Sequence, residues 1–429
     1  MRRQDEKRKM KILLYCLNYA PELTGIGKYT GEQAEWLAAR GHDVRVITAP
    51  PYYPAWRVEE GYRAWGYSRE MRNGVRVMRA PLWVPGRPSG LKRVVHLASF
   101  ALSSLPVLVA QAAWRPDVVF VVEPPLFCSP AVLAFARLTG ANAWLHIHDY
   151  EIDAAFELGL LKGRLLRRMA EAAERWLLKR FDHVSSISIP MVALARRKGA
   201  DDKRLTLVTN WVDLAGLAQR SDTDFRQQLG IPADAIVALY SGNIGNKQGI
   251  EILADAARLL LARENLHFII CGAGAGLEGL RERCAGLARV HFLPLQPVKD
   301  FPSLLATADL HLMPQRADAA DLVLPSKLAA MLASGRPVVA TAQEGTELAR
   351  LVASCGIVVD PGDSVAVANA IAELADDPER RRALGEIGKA WAERHLDREP
   401  VLLRLEETLL KLAAPRDAAA RTETDLAGE

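Results

Sequence analysis

The chain has 429 residues, half of them hydrophobic and a quarter charged, which excludes a disordered or fibrous protein and implies two folded domains around a large core. Its formal charge is +4, but residues 1–9 carry five basic groups against two acidic ones, and the remaining 50 basic and 49 acidic residues nearly cancel, which argues against a nucleic-acid-binding body. No apolar segment with a cleavage site follows the basic leader, so no secretory signal is read, and the five scattered cysteines have neither metal-ligand nor redox spacing, as expected of buried thiols in a cytosolic protein.

Residues 1–9 are expected to be disordered, with Met10 a natural start before the first strand. Lys11–Leu17 is a near-continuous apolar run, the pattern of a buried parallel strand. A turn-rich loop, Asn18 to Gly27, leads into a helix ending near Arg40 and Gly41, and Val44–Thr48 is the second strand. This opens a doubly wound α/β domain. Residues 50–90 are rich in Pro, Tyr, Trp and Arg around one strand, Val75–Arg79, and so long a connection points to function. Leu91–Ala113 reads as one long apolar helix of nearly membrane-spanning length. His96, Ser99, Ser103, Ser104 and Pro106 interrupt it, which favours a buried or interfacial helix over a span. Strands follow at Asp117–Val122, Asn142–Ile147 and Val184–Ser188, with helices near Ser129–Leu138 and Lys162–Arg180.

The domain boundary is read near residues 210–232, taken as a linker between a first domain, 10–209, and a second, 233–390. Helices at 391–412 pack back on the first domain in this reading, and the tail 413–429 is disordered. The second domain repeats the opening plan: strand Ala235–Ser241, a glycine loop through Gly249, a helix, and strand His267–Cys271. Further strands fit at Val290–Leu293, Leu310–Met313, Val338–Thr341 and Ile357–Val359. Two such halves imply a cleft between them.

Several stretches carry candidate chemistry. Gly25 and Gly27, beside Lys28, would let backbone N–H groups approach an anion at a helix start. The pair is not a G-x-G-x-x-G fingerprint, and no acid closes the second strand, so a nicotinamide dehydrogenase is disfavoured. Lys247, among Gly242, Gly245 and Gly249, suits a diphosphate contact without forming a Walker A sequence. Pro325, Ser326 and Lys327 open a helix that Gly335 ends; Ser326 is expected to cap it, and free N–H groups, the hydroxyl and Lys327 would converge on phosphate. The cluster Cys271–Gly276 is weak evidence on its own. His148 and Asp149 follow a parallel strand at its carboxyl end, where ligands of open sheets bind, and suit sugar hydroxyls or proton transfer. Glu151 and Asp153 follow closely, but without a second cluster no bound metal is read.

Together, Asn18 to Gly31, Ala49-Pro-Pro-Tyr-Tyr-Pro54, Tyr240 to Gly249 and Val323 to Lys327 resemble the GT-B glycosyltransferases of the GT4 type, over nearly all of residues 10–412. Within that family the motifs are most similar to the fucosyltransferases of colanic acid biosynthesis. The resemblance implies two Rossmann-like domains and sugar transfer from a nucleotide donor, GDP-fucose, to a lipid-diphosphate-linked oligosaccharide in exopolysaccharide assembly. It further implies retention of configuration, no metal or other cofactor, and a peripheral place on the inner face of the cytoplasmic membrane. Lys247, Pro325, Ser326 and Lys327 would then meet the leaving diphosphate, with Gly25 and Gly27 near the phosphate. His148 and Asp149 match the acceptor-side histidine and its neighbouring acid. Two departures stand out. Asn243 occupies a position where the family often has arginine. The paired glutamates of the family fall at Leu322 and Ala330; Asp321 is the substitute for the first, holding donor hydroxyls, and the ribose-binding second has none. A GT-B sugar-nucleotide epimerase and a non-catalytic nucleotide-sugar-binding protein of the assembly complex share these motifs and remain the alternatives.

Overall fold

The structure, a computed structural model, describes residues 8–22, 25–86, 90–157, 163–245, 248–274, 276–317 and 325–414. Lys247, Asp321 and Leu322, and most of both termini expected to be disordered, lie outside them. Residues up to Thr209 and from Leu402 onward form one compact unit, and Asn210–Val401 forms a second.

The first unit is built from β1 (Lys11–Tyr15), α1 (Gly25–Ala39), β2 (Asp43–Thr48), β3 (Ser68–Arg72), β4 (Val75–Arg79), α2 (Gly90–Ser103), α3 (Leu105–Ala110), β5 (Val118–Glu123), α4 (Ser129–Thr139), β6 (Asn142–Ile147), α5 (Glu151–Glu157), α6 (Arg164–Leu178), β7 (His183–Ser186), α7 (Ile189–Arg197) and β8 (Leu205–Leu207). The sheet order is β3-β4-β2-β1-β5-β6-β7-β8, parallel throughout except for β3. β5 is buried at every position, as a strand covered on both faces must be. The sequence reading had no β3. It pairs antiparallel to β4 through Asn73-Gly74, both at positive φ (46° and 83°), the pair a tight two-residue hairpin demands. The hairpin serves Arg79, whose buried guanidinium donates to the carbonyls of Ala20 (2.6 Å) and Ala49 (2.7 Å) and to Glu70 (2.6 Å). It ties together the segments leaving β1 and β2.

The apolar stretch read as one helix, Leu91–Ala113, is two. α2 stops at Ser104, because Pro106 has no N–H to continue the ladder. Ser104 Oγ turns back to Phe100 O (2.5 Å) and meets the Tyr15 hydroxyl, while His96 Nδ1 donates to Trp83 O at 2.7 Å. These bonds fix the stretch to the unit, although Gly90–Trp114 is long and apolar enough by composition to cross a membrane.

The second unit contains α8 (Leu214–Ala218), α9 (Phe225–Gln228), β9 (Ile236–Asn243), α10 (Glu251–Leu259), β10 (Leu266–Ala273), α11 (Leu277–Arg283), β11 (Val290–Leu293), α12 (Phe301–Thr307), β12 (Leu310–Met313), α13 (Ser326–Ala333), β13 (Val338–Thr341), α14 (Glu347–Cys355), β14 (Gly356–Val359), α15 (Ser364–Asp376) and α16 (Pro378–His395), followed by α17 (Arg398–Leu412). Its parallel sheet runs β11-β10-β9-β12-β13-β14, the doubly wound order with a reversal between β9 and β12. Residues 210–232 are not a free connector. Asp213 and Asp224 cap short helices there, and Val212, Phe225 and Ile231 are buried in the unit's core. Residue 390 falls inside α16 rather than at a boundary. All five cysteines are buried free thiols.

α17 carries the chain back to the first unit. Its buried Glu406 accepts from Arg40 Nε (2.7 Å) and His42 Nε2 (3.0 Å), and His42 Nδ1 accepts from Met10 N–H (3.2 Å). Asn142 Nδ2 donates to Leu412 O at 2.8 Å. Replacing Glu406 by Ala leaves His42 and Arg40 without their acceptor, so we expect a loss of about 2 kcal/mol in urea unfolding. An unchanged midpoint would assign the anchoring of α17 to its apolar face alone.

Candidate active site

In each sheet, neighbouring connections leave from opposite faces at one point, β1/β5 in the first unit and β9/β12 in the second. Crevices open there at the carboxyl ends of the strands. The expected residues gather at these two places.

In the second unit, β9 ends in Gly242 and Asn243, and α13 begins after β12 at Ser326. Gly242 has φ +143°, and a Cβ on it would lie 3.3 Å from Lys327 Cδ. The lysine stem therefore crosses the bare glycine, and Nζ lies 4.3 Å from the centre of the Tyr240 ring. Lys327 is half-exposed as a residue, but its Nζ is shut off from solvent and has no hydrogen-bond partner among the described residues. Burial pushes its pKa down to about 7. Ser326 does not cap the helix. Pro325 holds the cap position, with no side-chain cap bond, and Ser326 is the first helical residue, exposed. Leu328 N–H turns back to Pro325 O at 2.9 Å, so only the N–H groups of Ser326 and Lys327, which precede any intrahelical acceptor, are left to point toward an outside one. The glycine cluster at the end of β10 is structural: a Cβ on Gly272 would sit 2.0 Å from Gly242 O, and one on Gly274 2.3 Å from Ile244 O. These glycines let the two strand ends close up. Asn243 is exposed, its carbonyl accepting from the Tyr240 hydroxyl at 2.6 Å. Ala330 packs against the apolar core, so α13 offers no carboxylate there.

In the first unit, Gly25 and Gly27 lie in the first turn of α1, not in the loop before it. Gly25 has φ +61°. A Cβ on Gly27 would fall 2.5 Å from Glu22 Oε2. Glu22, which sequence reasoning did not single out, is buried and accepts from the N–H groups of Tyr52 and Tyr53 and from Asn18 Nδ2, each at 3.0 Å. Gly27 therefore makes room for a carboxylate that joins the β1 loop to the segment after β2. His148 is buried past the end of β6, stacked on Tyr29 (6.4 Å between centroids) and edge-on to His146 (4.6 Å). Burial pushes its pKa down to about 4, so the ring is neutral at neutral pH. Asp149, by contrast, is exposed.

Glu123 was also missed; its signal is an acid ending an otherwise apolar strand. It is buried at the end of β5, accepts from Glu151 N–H, and its Oε1 has no hydrogen-bond partner among the described residues. Burial, then the neighbouring charges of Glu151, Glu174 and Asp149, raise its pKa well above the usual range. Glu151 is raised by burial to about 7 and accepts from Leu126 N–H at 2.5 Å. Asp153 pairs with Lys198 at 2.7 Å. Glu123 and Glu151 thus each have one oxygen held by a backbone N–H and one buried without a hydrogen-bond partner among the described residues.

Two doubly wound parallel units, each with polar groups at its switch point, are the architecture of GT-B glycosyltransferases. The sequence matches the Glycosyl transferase 4-like domain over residues 24–211 and the Glycosyl transferases group 1 domain over residues 235–377. It is 45% identical over 404 residues to the putative colanic acid biosynthesis glycosyl transferase WcaI of Escherichia coli (strain K12), covering 92% of this chain and 98% of that one. The fold matches sucrose-phosphate synthase of Thermosynechococcus elongatus (TM-score 0.72, 19% identity, 94% of this chain and 99% of that one). It also matches Anabaena HepE, solved in complex with UDP (TM-score 0.67, 19% identity, 93% and 99%). The chain belongs to the GT4-type glycosyltransferases, in the family that includes WcaI.

The folded pKa of Lys327 lies below that of an unfolded lysine, so the folded state binds fewer protons between about pH 7 and 10.5. Stability without ligand should therefore rise with pH across that window, with the burial penalty fully present below pH 7. Lys327→Met should raise stability at pH 6, on the order of 5 kcal/mol at most, and flatten the slope. Melting curves with the same pH dependence in both proteins would show that Lys327 is hydrated in solution.

Proposed function

We propose that this enzyme transfers L-fucose from GDP-fucose to a lipid-linked oligosaccharide, with retention of configuration, in assembly of an exopolysaccharide of the colanic acid type. The observation that carries the donor site is Lys327: a buried cation without a partner among the described residues, at the start of α13 and against Gly242. Such a place favours an anion that brings its own charge and acceptor oxygens. The choice of GDP-fucose rests on the resemblance of the motifs to the fucosyltransferases of colanic acid biosynthesis.

In this reaction the bond between the anomeric carbon and the diphosphate oxygen breaks, and an acceptor hydroxyl oxygen bonds to that carbon. Its proton passes to the departing GDP. Lys327 and the first two N–H groups of α13 meet the charge growing on the diphosphate, and Lys247 adds to it. These groups supply the positive charge that a metal ion provides in other transferases. Neutral His148 holds a sugar hydroxyl, as does Asp321 on the donor side, and Asp149 faces the acceptor. Asn243 borders the diphosphate, and Pro325 and Ser326 set the helix start. The protein works at the cytoplasmic face of the inner membrane, where exposed Leu91, Val95, Leu102 and Val109 of α2 and α3 meet the lipid that carries the acceptor.

A thermal-shift screen of GDP, UDP, dTDP and their sugars tests the donor, since a ligand of the native state raises the melting temperature. GDP and GDP-fucose should stabilise, and Lys327→Ala should weaken GDP by about 10- to 100-fold in calorimetry. Wild-type affinity should fall as pH rises above about 7, because the lysine must be protonated to bind. Selectivity for UDP or dTDP would overturn the donor but keep the class. No response to any nucleotide would favour a non-catalytic protein.

A further inference from the structure

α6 presents its wrong face to water. Glu174, Leu177 and Leu178 point inward and are buried. On the opposite side, Leu165, Met169, Ala172 and Trp176 follow one another at helical spacing, i, i+4, i+7 and i+11, and all are exposed. Leu165 is 74% exposed, Met169 62% and Trp176 50%, where an outward stripe of a soluble helix is polar. The stripe is bordered by cations. Arg168, Arg175 and Lys179 lie along one side and form no ion pair among the described residues, whereas the nearby Glu171 is bonded to Arg167 at 2.8 Å. Arg180 lies over the Trp176 ring, 3.7 Å from its centre, on the other side. A shallow groove runs between them, lined by four cations, Arg168, Arg175, Lys179 and Arg180, one acid, Glu171, and Ala172 with Trp176.

We propose that α6 docks this protein on an anionic lipid bilayer, with Leu165, Met169 and Trp176 entering the interface and Arg168, Arg175 and Lys179 binding lipid phosphates. An apolar stripe between cations suits that surface, because the bilayer offers apolar depth beneath a layer of negative charge. Tryptophan is at home at that depth, with its apolar ring and polar N–H. A partner helix would need only the apolar stripe and would leave the cations unused. Chain connectivity supports the placement. The β4–β5 and β6–β7 connections run in the same direction across one parallel sheet, so right-handed crossovers put α2, α3 and α6 on the same face of it. α6 therefore adds charge selectivity to the apolar contacts of α2 and α3. The inference rests on the membrane-surface part of the proposed function.

The test is co-sedimentation of the whole protein with phosphatidylcholine vesicles, with and without about 30% phosphatidylglycerol, at low and high salt. The wild type should pellet with the anionic vesicles and release in salt. Combined Arg168→Glu, Arg175→Glu and Lys179→Glu should weaken binding at least tenfold, and Trp176→Ala should weaken it further. The triple variant should melt as the wild type does and keep its transfer rate on a water-soluble acceptor. If the triple variant binds as well as the wild type while Leu91→Ser with Val95→Ser does not, the membrane reading stands and the role of α6 is overturned. Equal wild-type binding to both vesicles overturns it too. Binding to neither overturns both, and self-association abolished by the same charge changes would identify a second copy of the chain as the occupant.

Discussion

The structure depends on a constraint of parallel sheets. Each connection must cross to a neighbouring strand in a right-handed sense, so reversing the direction of winding moves the helices to the other face. At the reversal no helix covers the strand ends, and a crevice remains. This chain makes the reversal twice, beside β1 and beside β9. His148, Glu123 and Lys327, the perturbed groups of the candidate site, lie close to one of these two places, where polar groups can be buried without a covering helix to satisfy them.

The two crevices solve burial differently. In the first unit the carboxylates lean on backbone N–H groups: Glu22 on Tyr52 and Tyr53, Glu151 on Leu126, and Glu123 on Glu151. Desolvation raises the pKa of each and outweighs those bonds. His148 is held neutral by the same cause. The second unit instead buries a cation over an aromatic ring and a bare glycine, with no carboxylate among the described residues to neutralise it. Buried polar groups left in this state are uncommon outside functional sites.

Much of this was legible in the chain. Continuous apolar runs gave the parallel strands, and β6, β11, β12 and β13 fall where their patterns end. Short-range polar logic was less visible. The strand β3 alternates weakly and is held by an Asn-Gly turn and Arg79, so its signal lies in the turn and not in its hydrophobicity. Residues 210–232 look like a linker because their apolar residues are few, yet two Asp caps and Phe225 suffice to fold them into the unit. The glycines misled in an instructive way. Gly27, Gly272 and Gly274 are glycines because a carboxylate or a carbonyl occupies the space of the missing Cβ. Glycine-rich spacing alone does not distinguish that from an open anion cradle. Glu123 carried a signal, an acid closing an apolar strand, whereas Glu22 could not be found by pattern, since a lone acid in a loop reports nothing about its burial.

The choice of lysine at residue 327 follows from the same energetics. An arginine in that place would stay charged at any ordinary pH, and its unpaired burial would weigh against the fold whenever the site was empty. A lysine can shed its proton instead, which limits the cost of the empty state to that of moving its pKa to about 7. In the proposed reaction, the arrival of the diphosphate would return the proton and recover the full charge interaction. The bare backbone of Gly242 is what allows this: it lets the lysine stem lie flat, with Nζ over Tyr240, so that in the proposed reaction the amine is in place before the diphosphate binds and only a proton has to be taken up.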